Sequence, residues 1–501
     1  MSHTRSSNRR GSVSTALAAD RLGVPSVLFF VMSAATPLTV VAGVVTTGFA
    51  ITGLVGIPFA FVVVALVLAL FSVGYVAMAR YLANAGAFYA YISQGLFKPL
   101  GVGGAWVALL AYNALQVGLY GAIGAAAAPV LHDWFSVDVA WWIVALVAWA
   151  LVGALGLQQI DVNGKILAVL LCTEVAVIVL FSIADLFHPA GGSITFDTLE
   201  PSNLFGPGVG AILGLATLGF VGFESSVVFS EEARDPRRTV RIATFLSVGI
   251  IGVLYAFASW AMSVATGPGQ IVAKSQSDST ELIFNLAQAH LGGAIVEIGR
   301  VLFVTSLIAA MISFHNTTAR YMFALGRERV LPAALGRTSR TGSPMIGSLI
   351  QTVIGFVVIV LYAVTGGDPL IKLFFWGGTA GGLGVLFLIA TTSISVVVFF
   401  KRTPSEENLW RRLIAPALAS IALLVVVYLA VTNFATLLGV QPDDPLRWLI
   451  PVIYLVVAIL GIFWGLALRA KRPDVYATIG MGAKTAVAAV AVAFSAEEAS
   501  L

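Results

Sequence analysis

Long apolar stretches alternate with short polar segments along nearly the whole chain of 501 residues. Each stretch is close to the roughly 20 residues that a helix needs to cross the hydrocarbon core of a bilayer. The pattern therefore predicts an all-α polytopic membrane protein with about 12 transmembrane helices. The predicted spans are residues 26–52, 56–79, 101–128, 140–157, 164–187, 208–231, 241–266, 294–324, 345–365, 370–400, 412–435 and 447–469.

The sixth predicted span is interrupted by small residues in the middle of its apolar run. Gly214, Gly219 and Gly222 fall near mid-membrane, and Glu224 follows directly. A carboxylate at this depth is energetically unfavourable and normally faces a cavity or an ion path. Non-helical backbone is tolerated there only where it lines a cavity or is packed within protein. Such spans indicate a transporter's binding site, although glycines also serve the simple close packing of helices.

The first predicted span is interrupted in a similar way. It carries a proline, two glycines and three threonines at mid-depth, namely Pro37, Thr39, Gly43, Thr46, Thr47 and Gly48. Inverted-repeat transporters use paired interruptions of this kind to build a central site. We therefore expect a five-helix repeat at residues 25–187 and an inverted second repeat at 208–400. Helices eleven and twelve follow at 410–470. A disordered cytoplasmic tail is expected at 1–24 and a second cytoplasmic tail at 471–501.

The composition agrees with a membrane protein and limits its chemistry. Hydrophobic residues make up 59% of the chain and charged residues only 10%, whereas soluble domains are roughly 25% charged. The net charge of +4 arises from basic loops, so nucleic acid is not an expected partner. Cys172 is the only cysteine, which excludes an intramolecular disulfide and a cysteine-based metal site. No metal and no cofactor are expected.

The basic residues predict the orientation in the membrane. Of the 28 lysines and arginines, 24 fall in the tails and in the loops on one side. The four exceptions are Lys274, Arg300, Lys372 and Arg447. The positive-inside rule then places both termini in the cytoplasm of a multi-pass plasma (inner) membrane protein.

Two acidic residues inside predicted spans are candidates for proton coupling. Glu224 comes just after the second interruption, and Glu174 lies in span five without an obvious local partner. Intramembrane acids are by default functional. The alternative for Glu224 is a structural carboxylate that accepts hydrogen bonds from the amides freed by the interruption. For Glu174 the open choices are proton coupling and cation binding. Broken helices expose both amides and carbonyls, which suits a zwitterionic or aminated solute.

Polar residues in span three and span eight have less specific patterns. Gln116 stands beside Tyr112 and Asn113 and either lines the cavity or links helices. His315 lies in span eight, where a single histidine on a mostly apolar helix is more often hydrogen-bonded structure than a proton relay. Phe314 beside it is by default a packing residue.

Several stretches resemble the amino acid–polyamine–organocation (APC) superfamily over roughly residues 20–400. The strongest are Gly219-Phe-Val-Gly-Phe-Glu-Ser-Ser226 and Glu231-Glu-Ala-Arg-Asp-Pro-Arg-Arg-Thr239, which look like the sixth span and the loop after it. Ala85-Gly-Ala-Phe-Tyr-Ala-Tyr91 is similar to a Gly-Gly-x-Tyr-x-Tyr loop. Arg320-Tyr-Met-Phe-Ala-Leu-Gly-Arg-Glu-Arg-Val-Leu-Pro332 resembles the loop between spans eight and nine. The combination is specific, whereas each motif alone is weak.

The resemblance implies a LeuT-like 5+5 inverted repeat with broken helices 1 and 6, two extra helices, and secondary transport of amino acids or amines. By position, the implied substrate contacts are Val40, Val41, Ala42, Gly43, Gln116, Leu218, Gly219, Phe220, Val221, Gly222 and Phe314. Members often carry Gly-Ser/Ala-Gly at the first break to contact a substrate carboxylate, and this chain departs from that pattern. Glu224 matches a proton-sensing glutamate of the arginine/agmatine exchanger branch. Glu174 stands where several members carry a lysine in place of a sodium ion.

These features predict a secondary active transporter that moves an amino acid across the plasma membrane by alternating access, as a proton symporter. The alternative is a transporter of a putrescine-like polyamine or cationic amine, or an amino acid/amine exchanger. A polytopic enzyme is disfavoured because H-E-x-x-H and G-x-S-x-G motifs are absent, and the missing P-loop argues against ATP-driven transport. The expected partners are the solute, protons and the bilayer, and the oligomeric state stays open.

Overall fold

A computed structural model describes residues 17, 20–158, 160–339 and 342–482, and within these ranges every regular element is a helix. Eleven of the described helices are long and apolar enough to cross a membrane. A further apolar helix, Trp141–Gly156, has 16 residues and is therefore only about 24 Å long. The all-α polytopic prediction is confirmed.

The eleven long helices and the shorter helix Trp141–Gly156 are numbered α1 to α12 in chain order. They are α1 (Val24–Thr52), α2 (Ile57–Ala79), α3 (Lys98–Phe135), α4 (Trp141–Gly156), α5 (Ile160–Phe187), α6 (Val209–Val227), α7 (Pro236–Thr266), α8 (Gly293–Arg327), α9 (Met345–Thr365), α10 (Pro369–Arg402), α11 (Trp410–Thr432) and α12 (Leu446–Lys471). Shorter helices connect them, among them Ala87–Gly95 between α2 and α3.

Burial shows which helices form the centre of the bundle. In α1 and α6, 83% of the most apolar 18-residue stretch is buried, whereas in α12 the figure is 17%. Large apolar side chains such as Val253 on α7, Val364 on α9 and Leu455 on α12 are exposed. An outward apolar surface of this extent fits hydrocarbon rather than water. The two helices with interrupted sequences are therefore the most enclosed ones.

Both described ends of the chain lie on the same side of the bundle, which we call the terminal face. Leu22 pairs with Ala233 in the loop after α6. The main-chain amides of Gly480 and Gly482 donate hydrogen bonds of 2.6 Å and 2.7 Å to the carboxylate of Glu328 at the end of α8. The first and last described segments are thereby attached to the ends of α6 and α8.

Glu328 is a buried acceptor rather than an ion-pair partner. Besides the two glycine amides, it accepts hydrogen bonds from Tyr89 Oη at 2.6 Å and Asn84 Nδ2 at 2.9 Å. Burial raises the pKa of Glu328 above its usual range, and the donated hydrogen bonds oppose that rise. One carboxylate thus joins α8, the loop before the Ala87–Gly95 helix and the C-terminal segment.

Two ion pairs also close the terminal face. Arg320 of α8 donates to both carboxylate oxygens of Glu232, at 2.6 Å and 2.9 Å, and both side chains are only 1% exposed. Arg327 donates to both oxygens of Glu231 at 2.6 Å and 2.7 Å. Bidentate pairs of this kind are geometrically specific. They join the end of α8 to the segment that follows α6.

Candidate functional site

The first helix is broken at Ala35 and Thr36. Its first half ends at Ala34, and Thr36 has a left-handed backbone with φ of +44°. Pro37 accounts for the position, because a proline disfavours helical backbone in the residue before it and has no N–H to donate. A threonine in this conformation is strained, and such residues cluster at functional sites. The second half of α1, residues 37–52, then continues toward the face opposite the termini.

The predicted first break therefore lies one turn too far along the chain. Val40, Val41, Ala42 and Gly43 belong to a stretch of wide π-helical turns, Val40–Val45, and not to the interruption itself. The proline, not the glycine, decides where the helix ends. The wider turns remain a local irregularity next to the break, a type that is frequent at functional sites.

The second break lies where the sequence predicts it. The α-helical part of α6 is Val209–Gly219, and Phe220 and Val221 lead to Gly222, whose φ is +117°. A short 3₁₀ helix, Phe223–Val227, follows. Only glycine adopts the Gly222 conformation without strain, so the glycine-rich stretch of the sequence corresponds to a real change of backbone direction.

The two breaks are in direct contact. A Cβ atom added to Gly222 would lie 2.5 Å from the Cβ of Ala34 and 3.1 Å from its main-chain carbon. Tyr255 of α7 donates a hydrogen bond of 2.8 Å to the main-chain oxygen of Ala35. The end of the first half of α1 and the turn of α6 thus form one site at the centre of the protein.

Glu224 is fully buried immediately after the second break. One carboxylate oxygen accepts from Tyr112 Oη at 2.8 Å, and the other accepts from the main-chain amide of Gly222 at 2.9 Å. Tyr75 Oη donates to the main-chain oxygen of Glu224 at 2.9 Å. The structural alternative for Glu224 thus holds for one carboxylate oxygen, which accepts from an amide of the break, whereas the other oxygen accepts from a tyrosine hydroxyl.

Glu174 of α5 is attached to the first break. Its Oε1 atom accepts hydrogen bonds from the main-chain amide of Leu38 at 2.5 Å and from Ser306 Oγ of α8 at 2.7 Å, and the residue is 2% exposed. Leu38 belongs to the first turn of the second half of α1, whose amides have no partner within the helix. Glu174 therefore caps this half-helix from a distant part of the chain.

A cavity lies beside the two breaks. Its wall is formed by Ala34, Ala35, Thr36, Thr39, Val40, Gly43, Val44, Thr47, Leu115, Leu119, Leu215, Leu218, Val221, Phe314, Phe374, Phe375, Gly378 and Thr379. None of these described lining residues is charged, and the polar side chains among them are four threonines. The cavity extends along the second half of α1 toward the face opposite the termini.

The structure brings only part of the predicted substrate site to the cavity. The predicted residues on its wall are Val40, Gly43, Leu218, Val221 and Phe314. The predicted residues that do not line it are Val41, Ala42, Gln116, Gly219, Phe220 and Gly222, and neither proton-coupling candidate, Glu174 or Glu224, is exposed on the wall.

Gln116 in particular is buried elsewhere. Its Nε2 donates to Tyr120 Oη at 3.2 Å one turn along α3, while Leu115 and Leu119 face the cavity. Successive residues of a helix point about 100° apart, so the neighbour of a cavity residue faces another helix. Gln116 therefore does not line the cavity, and its described hydrogen bond stays within α3.

A cluster of buried tyrosines separates the cavity from the terminal face. Tyr112 packs against Phe314 of the cavity wall with ring centroids 6.2 Å apart, and against Tyr321 at 5.6 Å. Tyr75 packs against Tyr91 at 5.1 Å. The ion pairs of Glu231 and Glu232 lie beyond these rings. In this conformation the path from the cavity to the terminal face is therefore closed.

Sequence reasoning missed the groups that close this path. The charged residues of the ion pairs and Glu328 all lie within stretches that carry the family resemblance. The two ion pairs, however, join residues about 90 positions apart, and only the tertiary structure shows this pairing. It also missed Leu115, Thr379, Phe374 and Phe375 of the cavity wall. The only sequence signal for the ion pairs is the recurrence of opposite charges at the ends of two spans on one side.

Two touching broken helices at the centre of a polytopic bundle, beside a cavity that is closed toward one face, are an arrangement typical of transporters. A sequence profile for amino acid permeases matches residues 22–493 of this chain. The chain therefore belongs to the amino acid permease family, and it is a transporter and not an enzyme.

Individual relatives differ in what their names say they carry. The chain is 23% identical to the low-affinity putrescine importer PlaP of Escherichia coli (strain K12), over 64% of this chain and 72% of the relative. It is 27% identical to an arginine/ornithine antiporter of Pseudomonas aeruginosa, over 57% and 59%. It is 24% identical to the branched-chain amino acid permease BcaP of Lactococcus lactis, over 60% and 68%.

Proposed function

We propose that the protein imports an amino acid or a small amine across the plasma membrane by alternating access, coupled to protons. The observation that carries the proposal is the pair of buried carboxylates bound to the two breaks, Glu174 at Leu38 and Glu224 at Gly222. Each is held by a main-chain amide of a broken helix. A change in its protonation therefore changes the hydrogen bonding of the segment that lines or abuts the cavity.

Alternating access requires that the closed side of the cavity open in turn. The tyrosine cluster, the two ion pairs and Glu328 lie between the cavity and the terminal face and are the contacts that such opening has to rearrange. The basic loops support a cytoplasmic terminal face. The cavity described above then corresponds to the state directed away from the cytoplasm, which is the state needed for uptake. The two five-helix repeats at 25–187 and 208–400 stay a prediction from the sequence.

The solute class follows from the family and from the cavity. The relatives are named for putrescine, for arginine and ornithine, and for branched-chain amino acids, all of which carry at least one amino group. The wall of Leu115, Leu119, Leu218 and Phe314 offers aliphatic and aromatic packing for a carbon chain. A thermal-shift screen of the purified protein against amino acids and amines tests this, because a ligand at about 100 times its Kd stabilises the folded state by about 2.7 kcal/mol. A screen without any stabilising amine or amino acid would contradict the proposed solute class.

Glu224→Gln and Glu174→Gln test the proton coupling. In proteoliposomes with an imposed pH gradient, we expect each variant to lose at least about tenfold of its concentrative uptake while it retains counterflow exchange, because a glutamine holds the hydrogen bonds of one oxygen but releases no proton. Glu297→Gln is the matched control, since Glu297 forms an ion pair with Arg300 that is partly exposed, far from the breaks. Unchanged accumulation and unchanged pH dependence in both variants would show that the coupling assignment is wrong.

A further inference from the structure

The start of the second half of α1 is the place where a broken helix offers amides to an anion. The first turn of a helix has N–H groups without intrahelical partners, and these favour a carboxylate. In this chain the first residue of that turn is Pro37, which has no N–H. The second is Leu38, whose amide donates to Glu174 Oε1 at 2.5 Å. The side chain of Glu174 thus occupies the position that a solute carboxylate would take.

The second break is occupied in the same way. The amide of Gly222 donates to Glu224 Oε2 at 2.9 Å. Each break therefore already holds a carboxylate that belongs to the protein, and a second carboxylate brought by a solute would meet a like charge at close range. The cavity wall contains no described lysine, arginine or histidine that could compensate it. A desolvated anion without such a partner binds unfavourably.

A cationic group meets the opposite conditions. The first half of α1 ends at Ala34 and the helical part of α6 ends at Gly219, so two helix C-terminal ends, which favour positive charge, point to the centre. Two hydroxyls also link the cavity to Glu174. Thr39 Oγ1 on the wall lies 3.5 Å from Ser306 Oγ, which donates to Glu174 at 2.7 Å.

We propose that Glu174 is a specificity-determining residue that takes the place of a substrate carboxylate at the first break and so selects cationic amines that lack an α-carboxylate. This inference rests on the proposed function, since it presupposes transport of amino-group-bearing solutes. It gives Glu174 a role that does not depend on proton transfer.

The test compares solutes that differ only in the α-carboxylate, namely putrescine with ornithine and agmatine with arginine. For the wild type we expect the carboxylate-free member of each pair to bind at least about tenfold more tightly, which corresponds to about 1.4 kcal/mol. Glu174→Ala frees the Leu38 amide and is expected to shift this ratio at least about tenfold toward the carboxylated member. Glu174→Gln keeps an acceptor oxygen for Leu38 and Ser306 but removes the negative charge, so its ratio is expected to lie between those of the wild type and the alanine variant.

Thr173→Ala is the matched control, because it removes an exposed hydroxyl beside Glu174 on α5 that donates to the main-chain oxygens of Val169 and Leu170. Its ratio should stay within about threefold of the wild type. If the alanine variant does not fold, Glu174→Ser shortens the side chain in the same way and is expected to give the same shift. Binding is read as Kd from ligand-dependent melting and from competition with counterflow exchange.

The outcomes separate this inference from the proposed function. A wild type that binds no member of either pair contradicts the inference, and it contradicts the proposed function as well only if the thermal-shift screen finds no other stabilising amino acid or amine. A wild type that binds ornithine and arginine as tightly as their amines contradicts the inference alone. An equal shift of the affinity ratio in the Gln and Ala variants also contradicts the inference, and so does an unchanged ratio in the Ala or Ser variant. In either case, occupancy of the Leu38 amide would not set the selectivity.

Discussion

Gly222→Ala is expected to abolish transport and to destabilise the protein by about 3–5 kcal/mol. Two effects add up at this position. The backbone φ of +117° is strained for any residue with a Cβ atom, and that atom would lie 2.5 Å from the Cβ of Ala34. Relief of the clash requires α1 and α6 to separate at the breaks, and the bond from the Gly222 amide to Glu224 would then be lost.

Uptake in proteoliposomes and thermal unfolding in detergent measure the two consequences separately. Gly249→Ala on α7 is the matched control, since nothing lies within 4 Å of a Cβ built at Gly249. We expect this control to melt within a few degrees of the wild type, because alanine is slightly preferred over glycine inside a helix. A Gly222→Ala protein with full uptake and unchanged melting would contradict the contact between the two breaks.

Arg320→Ala is expected to cost about 3–5 kcal/mol, the usual effect of removing one partner from a buried ion pair. The guanidinium donates to both oxygens of Glu232 and to the main-chain and side-chain oxygens of Asn316, at 2.6 Å to 3.1 Å. Its removal leaves the carboxylate of Glu232 buried without its partner. Denaturant-dependent unfolding in detergent measures the loss.

Two comparisons separate the buried charge from general damage. Arg300→Ala removes an arginine whose side chain is 24% exposed and paired at the opposite face, and exposed pairs contribute about 0–1 kcal/mol. The double variant Arg320→Met/Glu232→Leu removes both charges and should be more stable than Arg320→Ala, because no unpaired charge remains. If Arg320→Ala and Arg300→Ala have the same effect, the Arg320–Glu232 pair is not the buried connection described here.

The sequence alone predicted the helices well, since each apolar run is long compared with a bilayer and few polar residues interrupt it. The second break was predicted at Leu218 to Gly222 because glycine is the residue that its backbone needs. The first break was misplaced toward Gly43. Pro37 constrains the backbone more strongly than Gly43 does, because a proline disfavours helical backbone in the residue before it. The interruption accordingly lies at Thr36, directly before this proline.

The side of a helix that faces the cavity could not be predicted for α3. This helix is apolar and buried on many sides, so no periodic pattern distinguishes Gln116 from Leu115. The hydrogen-bond partners of Glu174 could not be predicted either, because Leu38 and Ser306 are separated from it by more than 130 residues of chain. Predictions from sequence spacing work within one helix, whereas the site is built from contacts between five or more helices.

The attachment of the C-terminal segment to Glu328 has a practical consequence for handling the protein. The amides of Gly480 and Gly482 supply two of the hydrogen bonds to this buried carboxylate, and Ile479 next to them is fully buried. Shortened versions that stop at the end of α12 would leave a desolvated acid with half of its donors. Affinity tags and fluorescent fusions therefore belong after residue 482, and a fusion that starts earlier would disturb hydrogen bonds that close the terminal face.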